Sequence, residues 1–231
     1  MRKKRGRNSV RRTVALALIV IAVLAAVAVT YLASLPHQAK PTILYVNQGN
    51  GIVDKSNFVQ MVDFASSKGF NIIFFQIYRQ GNLLFSSSDL GSFVNETHGR
   101  GLKLFFALYF TNSSQAIPAS ILGSGEDGIS LDMSTLNLAA QEGLLANLKE
   151  SYQGKTAVTT TDMTSPLKPD LLILETYAPA EQQYIRPGVV ASVGVFATSS
   201  QADYQAQVQY ALGNSDGVMV FDYAGLMKSG Y

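Results

Sequence analysis

The chain has 231 residues, with 18 Lys and Arg, 16 Asp and Glu, two His and no Cys. Without cysteine there is no disulfide framework and no lipidated cysteine, and two isolated histidines do not support a zinc site. Seven of the bases lie between Arg2 and Arg12, which leaves 11 bases against 16 acids in the remainder. That remainder is net −5, a balance that argues against nucleic acid as a partner.

Residues 1–12 form a basic segment, and residues 13–35 are an unbroken uncharged stretch. As a helix, that stretch would be roughly 34 Å long, enough to cross a hydrocarbon core of about 30 Å. An uncleaved transmembrane signal anchor is expected here, with residues 1–12 cytoplasmic and the rest extracytoplasmic at the plasma membrane. A cleaved signal peptide has a shorter apolar region, and His37-Gln38-Ala39 is a poor cleavage site. Residues 36–41 read as a linker stiffened by Pro36 and Pro41. Residues 42–231 then form one extracytoplasmic domain, large enough for a sizeable core. The sequons at Asn95 and Asn112 are compatible with that location but occur readily by chance.

Within this domain, apolar β-rich runs at 43–47, 71–78, 102–110, 128–132, 156–162, 171–177, 189–197 and 217–223 predict eight strands. Most are apolar on both faces, as parallel strands covered on each side are. Helices are expected at 57–67, 89–98, 136–152 and 201–212, with Gly69, Gly101, Gly154 and Gly213 at their stops. Repeated strand and helix units imply a parallel α/β fold, and eight strands imply a (β/α)8 TIM-type barrel. Only residues 163–169 separate the fifth and sixth strands, and the helix expected at 181–186 is minimal, so the barrel should be small, helix-poor or incomplete. A doubly wound open sheet is the second architecture, but no glycine-rich phosphate loop follows Asn47.

Chemistry in such barrels sits at the C-terminal ends of the strands. Those ends carry Asn47, Gln76, Tyr109, Asp132, Asp162, Glu175 with Tyr177, Thr198, and Asp222 with Tyr223. Period-two alternation places Gly128, Ser130 and Asp132 on one face, and Leu171, Ile173, Glu175 and Tyr177 on another. A glutamate ending an apolar strand is costly to bury unless paired or hydrogen-bonded, so Glu175 needs a reason to be there.

Several segments resemble the glycosyl-hydrolase-like 10 group. Gly69 to Tyr78, running on through Arg79 to Ser88, is similar to that group's second-strand region, G-x-N-x-[IV]-x-x-Q-[IV]. His98-Gly99-Arg100-Gly101-Leu102-Lys103-Leu104 is similar to the approach to its third strand. Asp127 to Asp132 resembles the D-G-[IV]-x-[IL]-D fourth strand, which is shared more widely across barrel glycosidases and deacetylase-like relatives, and Gly217 to Tyr223 resembles the closing strand. The resemblance implies a barrel of glycoside-hydrolase type. The chitinase-like family 18 pattern D-G-x-D-x-D-x-E, laid on the fourth strand, falls on Asp127, Gly128, Ser130, Asp132 and Ser134. A serine stands where that family has its acid, which argues against substrate-assisted hydrolysis of the chitinase type. Barrel glycosidases with a nucleophilic glutamate after the seventh strand find Phe196-Ala197-Thr198 here, with no carboxylate.

A hydrolytic site would therefore use Asp132 with another rim acid, Glu175, Asp162 or Asp222. The expected pair is Glu175 as acid and Asp132 as base or nucleophile, with retaining and inverting chemistry both open. Tyr45, Tyr78, Tyr109, Tyr177 and Tyr223 are candidate stacking platforms for a sugar. Gln76, Arg79 and Asp222 are candidate contacts for hydroxyls or an acidic sugar. The structural alternatives are an Asp132 that caps the next helix at Ser134/Thr135, a Glu175 paired with a base such as Arg79, and Asp162 and Asp222 as turn residues. His98 reads as a surface residue and Glu126-Asp127 as a surface turn. The expected partners are a carbohydrate or glycan ligand and, through residues 13–35, a membrane. No metal and no cofactor are expected, and a catalytically inactive glycan-binding or envelope-structural barrel remains the alternative function.

Overall fold

Eight parallel strands close on themselves in the computed structural model, which describes residues 39–50, 53–112, 114–195 and 200–230. They are β1 (Thr42–Val46), β2 (Ile72–Arg79), β3 (Lys103–Tyr109), β4 (Gly128–Asp132), β5 (Lys155–Thr160), β6 (Leu171–Glu175), β7 (Val190–Gly194) and β8 (Gly217–Phe221). Each pairs with its neighbour in chain order, and β1 pairs with both β2 and β8, so the sheet has no free edge. A two-residue strand, Asn82–Leu83, folds back antiparallel on the end of β2. The chain is thus a closed (β/α)8-type barrel and neither an open sheet nor an incomplete one. Segment 13–35, expected to span the membrane, lies outside the described residues; among the described residues no helix is long and apolar enough to cross one.

Strand alternation divides the apolar residues into two cores. Ile43, Tyr45, Ile72, Phe74, Phe105, Ala107, Ala157, Ile173, Val190 and Met219 fill the lumen. Leu44, Val46, Ile73, Phe75, Leu104, Phe106, Ile129, Leu131, Val158, Val218 and Val220 face outward under the helices. This double burial is why the strands read as apolar on both faces. The lumen is crowded: the Phe105 ring, stacked on Phe74, occupies the space where a side chain at Gly128 would begin.

Five α-helices are described, and all but the first have a side-chain N-cap, from Ser86, Asn137, Ser200 and Asp222. α1 (Phe58–Ser67) buries Phe58, Met61, Val62 and Ala65, and α2 (Ser87–His98) buries Leu90, Phe93, Val94 and Thr97, both at i, i+3, i+4, i+7 spacing. α3 (Leu138–Ser151) repeats the spacing with Gln141, Leu144, Leu145 and Leu148, and Asn137 caps it by accepting the Ala140 N–H. α4 (Gln201–Asn214) is capped by Ser200 and buries only Ala211. α5 (Tyr223–Ser229), absent from the sequence expectation, follows β8 at once, with Asp222 as its cap. Only 3-10 turns, Ala119–Ile121 and Pro179–Tyr184, follow β3 and β6, and residues 163–169 contain no helix, so the barrel is helix-poor as expected.

Lys40 and Pro41, expected to be linker, belong to the barrel floor. Lys40 Nζ donates to the carbonyls of Leu212 and Ser215 at 2.6 and 2.7 Å, and the Pro41 carbonyl accepts from the Val218 N–H. Asn71 clamps the same corner, accepting from the Thr42 N–H and donating to the Lys40 carbonyl.

Candidate functional site

Asp132 closes β4 on the lumen side, directly above Ser130 and Gly128, as alternation predicts. It is buried, with 7% of its surface exposed. Two hydroxyls hold it: Tyr45 Oη donates to Oδ2 at 3.0 Å, and Ser134 Oγ lies 2.9 Å from Oδ1. Glu175 ends β6 two strands away, and its Oε1 lies 2.6 Å from the same Ser134 Oγ. One hydroxyl at 2.9 and 2.6 Å from two carboxylate oxygens confines those oxygens to within about 5.5 Å of each other.

The proton count follows from this bridge. A serine hydroxyl carries a single proton. If Ser134 donates to Asp132, its oxygen can only accept from Glu175, and Glu175 must then be the carboxylic acid. Burial, and secondarily the Asp132 charge, raise the Glu175 pKa to about 7. Burial also raises Asp132, but hydrogen bonds from Ser134 and Tyr45 and the Arg79 charge oppose it. With two hydroxyl donors, Asp132 is the better place for the negative charge and Glu175 for the shared proton. Burial and then the Asp132 charge push Tyr45 well above its ordinary value, so it stays a neutral donor.

The pair opens into a cleft of about 260 Å³ lined by Asn47, Gln76, Arg79, Tyr109, Asp132, Ser134, Thr135, Glu175, Tyr177 and Phe221. Gln76, fixed by accepting the Gln48 N–H at 2.9 Å, forms one side of its base. Tyr177 and Phe221 form an aromatic wall, with ring centroids 5.9 Å apart. Arg79 lies over the Tyr109 ring at 5.5 Å on another wall.

The structure thus brings Asn47, Gln76, Arg79, Tyr109, Asp132, Glu175 and Tyr177 together, all expected at the rim, and removes others. Tyr45 lies beneath the cleft as a support for Asp132 and offers no stacking face. Tyr78 faces outward against Phe110 and donates to the Ala116 carbonyl, because the register of β2 shifts between Gln76 and Tyr78. Tyr223 packs on Phe64 outside the barrel. Asp222 spends its Oδ1 on the Gly225 N–H as the cap of α5, and Asp162 accepts from the Thr164 N–H and hydroxyl in a local turn. Neither lines the cleft. Asp132 does not cap α3, and Glu175 forms no ion pair among the described residues. Asp127 is tied to the His98 ring and the Leu104 N–H, away from the cleft. Thr198 lies outside the described residues. Ser134, Thr135 and Phe221 were not anticipated as cleft residues, although alternation continued past Asp132 and along β8 points Ser134 and Phe221 inward.

These features define a helix-poor (β/α)8 barrel with a paired-carboxylate cleft at the C-terminal rim. Solved structures share its architecture. A xylanase and amylase inhibitor protein, XAIP-III, is similar at 10% identity over 83% of this chain and 96% of that one, with a TM-score of 0.54. The GH113 β-mannanase of Alicyclobacillus acidocaldarius is similar at 12% identity over 79% and 86%, with a TM-score of 0.53. A further GH113 β-1,4-mannanase is similar at 11% identity over 80% and 87%, with a TM-score of 0.54. At these identities the likeness is one of fold. No family model and no curated protein matches the sequence.

Proposed function

We propose that this protein is a membrane-anchored, extracytoplasmic glycoside hydrolase acting on a cell-surface polysaccharide, a relative of the glycosyl-hydrolase-like 10 group. The observation that carries the reading is the Asp132–Glu175 pair, bridged by one hydroxyl and facing an open cleft. Bridged oxygens within about 5.5 Å of each other suit retaining chemistry, for which carboxyl groups stand about 5 to 5.5 Å apart. Glu175, protonated near neutrality, gives its proton to the leaving glycosidic oxygen while the Asp132 carboxylate attacks the anomeric carbon. Glu175 then takes a proton from water, whose oxygen displaces Asp132 and releases the hemiacetal. Tyr177 and Phe221 offer sugar-stacking faces, and Gln76 and Asn47 offer polar contacts to hydroxyls. The fold shared with mannanases supports a glycan as ligand, and the basic and apolar segments at 1–12 and 13–35 support the anchoring.

The second reading is an inactive glycan-binding barrel, favoured by the Ser134 hydroxyl standing between the two carboxylates and by the inhibitor protein that shares the fold. Release of reducing ends from a panel of plant and microbial polysaccharides separates the two. Hydrolysis that falls at least a thousandfold in both Asp132→Asn and Glu175→Gln, with unchanged circular dichroism, supports the first. Wild-type protein that binds but cleaves none of them, or variants as active as wild type, would overturn it.

A further inference from the structure

Arg79 reaches the cleft through a fault in its strand. Simple alternation from Gln76 would send Tyr78 into the barrel and Arg79 outward. The register shift between Gln76 and Tyr78 reverses this: Tyr78 goes to the outer core, and Arg79 pairs with Tyr109 and lines the cleft. Bulges next to active sites commonly re-aim a side chain in this way.

The guanidinium it delivers is held without a direct ion pair among the described residues. It lies 5.5 Å from the centroid of the Tyr109 ring, and the lack of a side chain on Gly49 leaves room for its Nη1. Its one hydrogen bond among the described residues, Nη1 to Asn47 Oδ1, is long at 3.4 Å. No carboxylate lies within ion-pair distance of it among the described residues; the Lys and Arg ion pairs described are those of Lys55 and Arg100. A guanidinium carries five N–H donors in a planar fork that matches an oxyanion. Here most of those donors are uncommitted and border the cleft that holds Asp132 and Glu175.

Resting on the glycan reading above, we propose that Arg79 makes this cleft selective for an anionic sugar, one bearing a carboxylate or sulfate, as in a uronic-acid or sulfated polysaccharide. The net −5 of the chain after residue 12 does not oppose this. Charges beyond a Debye length of about 8 Å are largely screened at physiological salt, so the outer acids count for little and the charges a bound sugar meets are those in the cleft, Arg79 and the Asp132 carboxylate.

Calorimetric titration of the full-length protein in detergent with three matched ligands tests it: β-1,4-mannotetraose, β-1,4-tetramannuronate and 6-O-sulfated mannotetraose. The first two differ only in the oxidation state of C6. The expected result is that at least one anionic ligand binds tenfold or more tightly than mannotetraose, and the carboxylate and sulfate arms show which anion is preferred. Arg79→Met should cut that ratio below threefold, and Arg79→Lys should fall between. Mannotetraose binding as tightly as both anionic ligands, or a ratio that survives Arg79→Met, overturns the proposal and leaves the glycan reading standing. If none of the three binds, the Arg79 proposal fails, and the polysaccharide panel decides the glycan reading separately. The wild-type comparison decides the matter even if Arg79→Met does not fold.

Discussion

Asp132 and Glu175, 43 positions apart in sequence, are held by the same Ser134 hydroxyl, at 2.9 Å on one side and 2.6 Å on the other. Three acidic or hydroxylic groups in a row with one proton too few for two carboxylates set the ionisation of the whole site. The consequences can be measured without knowing the substrate.

Removing the bridge with Ser134→Ala takes a hydrogen bond from both carboxyls. Because Ser134 donates to the Asp132 carboxylate but accepts from the protonated Glu175, its loss destabilises the charged form of Asp132 and the neutral form of Glu175, so the Asp132 midpoint should rise and the Glu175 midpoint should fall from about 7. Carboxyl 13C titration by NMR reads this directly. A Glu175 midpoint that rises instead would show that Ser134 donates to Glu175 and would overturn the assignment of the proton within the bridge.

Glu175 also ties stability to pH. Its folded pKa of about 7 lies above the value of about 4.3 usual for a free glutamate, so the folded state binds the proton more tightly. Stability is therefore full below about pH 4 and declines as pH rises through 7, where burying the ionised carboxylate costs up to about 3 kcal/mol. Glu175→Gln, whose amide can still donate to Ser134, should match wild type near pH 4.5 and exceed it by about 1–3 kcal/mol at pH 8. Urea unfolding at the two pH values checks the sign. A variant no more stable than wild type at pH 8 would refute the raised pKa.

Tyr45 supports Asp132 from below the cleft. Tyr45→Phe leaves a buried carboxylate with one hydroxyl donor in place of two, which should cost about 1–3 kcal/mol at pH 8. The cost should shrink as Asp132 becomes protonated at low pH. A pH-independent loss would assign the effect to packing instead.

Gly128 is required by Phe105 and not by backbone conformation. Gly128→Ala places a methyl inside the volume of the Phe105 ring and should destabilise the barrel by about 1–3 kcal/mol. Combining it with Phe105→Leu should recover part of that loss, giving a favourable coupling in the double-mutant cycle. Thermal unfolding of the four proteins measures it, and simple additivity would contradict the contact.

Much of this molecule is written locally. All eight strands fall within three residues of where apolar runs place them, because each run has the length and two-faced apolarity of a strand packed on both sides. Three helices show the i, i+3, i+4, i+7 stripe for the same reason. α5 was missed although Asp222-Tyr223-Ala224-Gly225 offers a cap, since a seven-residue helix with a glycine in its first turn has little periodicity to read. Within the site, Asp132 and Glu175 were legible because a carboxylate that ends an apolar strand contradicts its surroundings.

By itself, the sequence determined the strand count, the parallel α/β class, the acidic rim and the basic-then-apolar N-terminal segment, all of which follow from residue patterns a few positions long. Only the tertiary structure decided that β1 and β8 join to close the barrel, that Arg79 and not Tyr78 enters the cleft, and that Ser134 meets Glu175 across 41 residues. These depend on strand register and on one shift within it. A one-residue change of phase reverses every side chain beyond it, and its energy comes from the whole packed barrel and not from the residues at the fault.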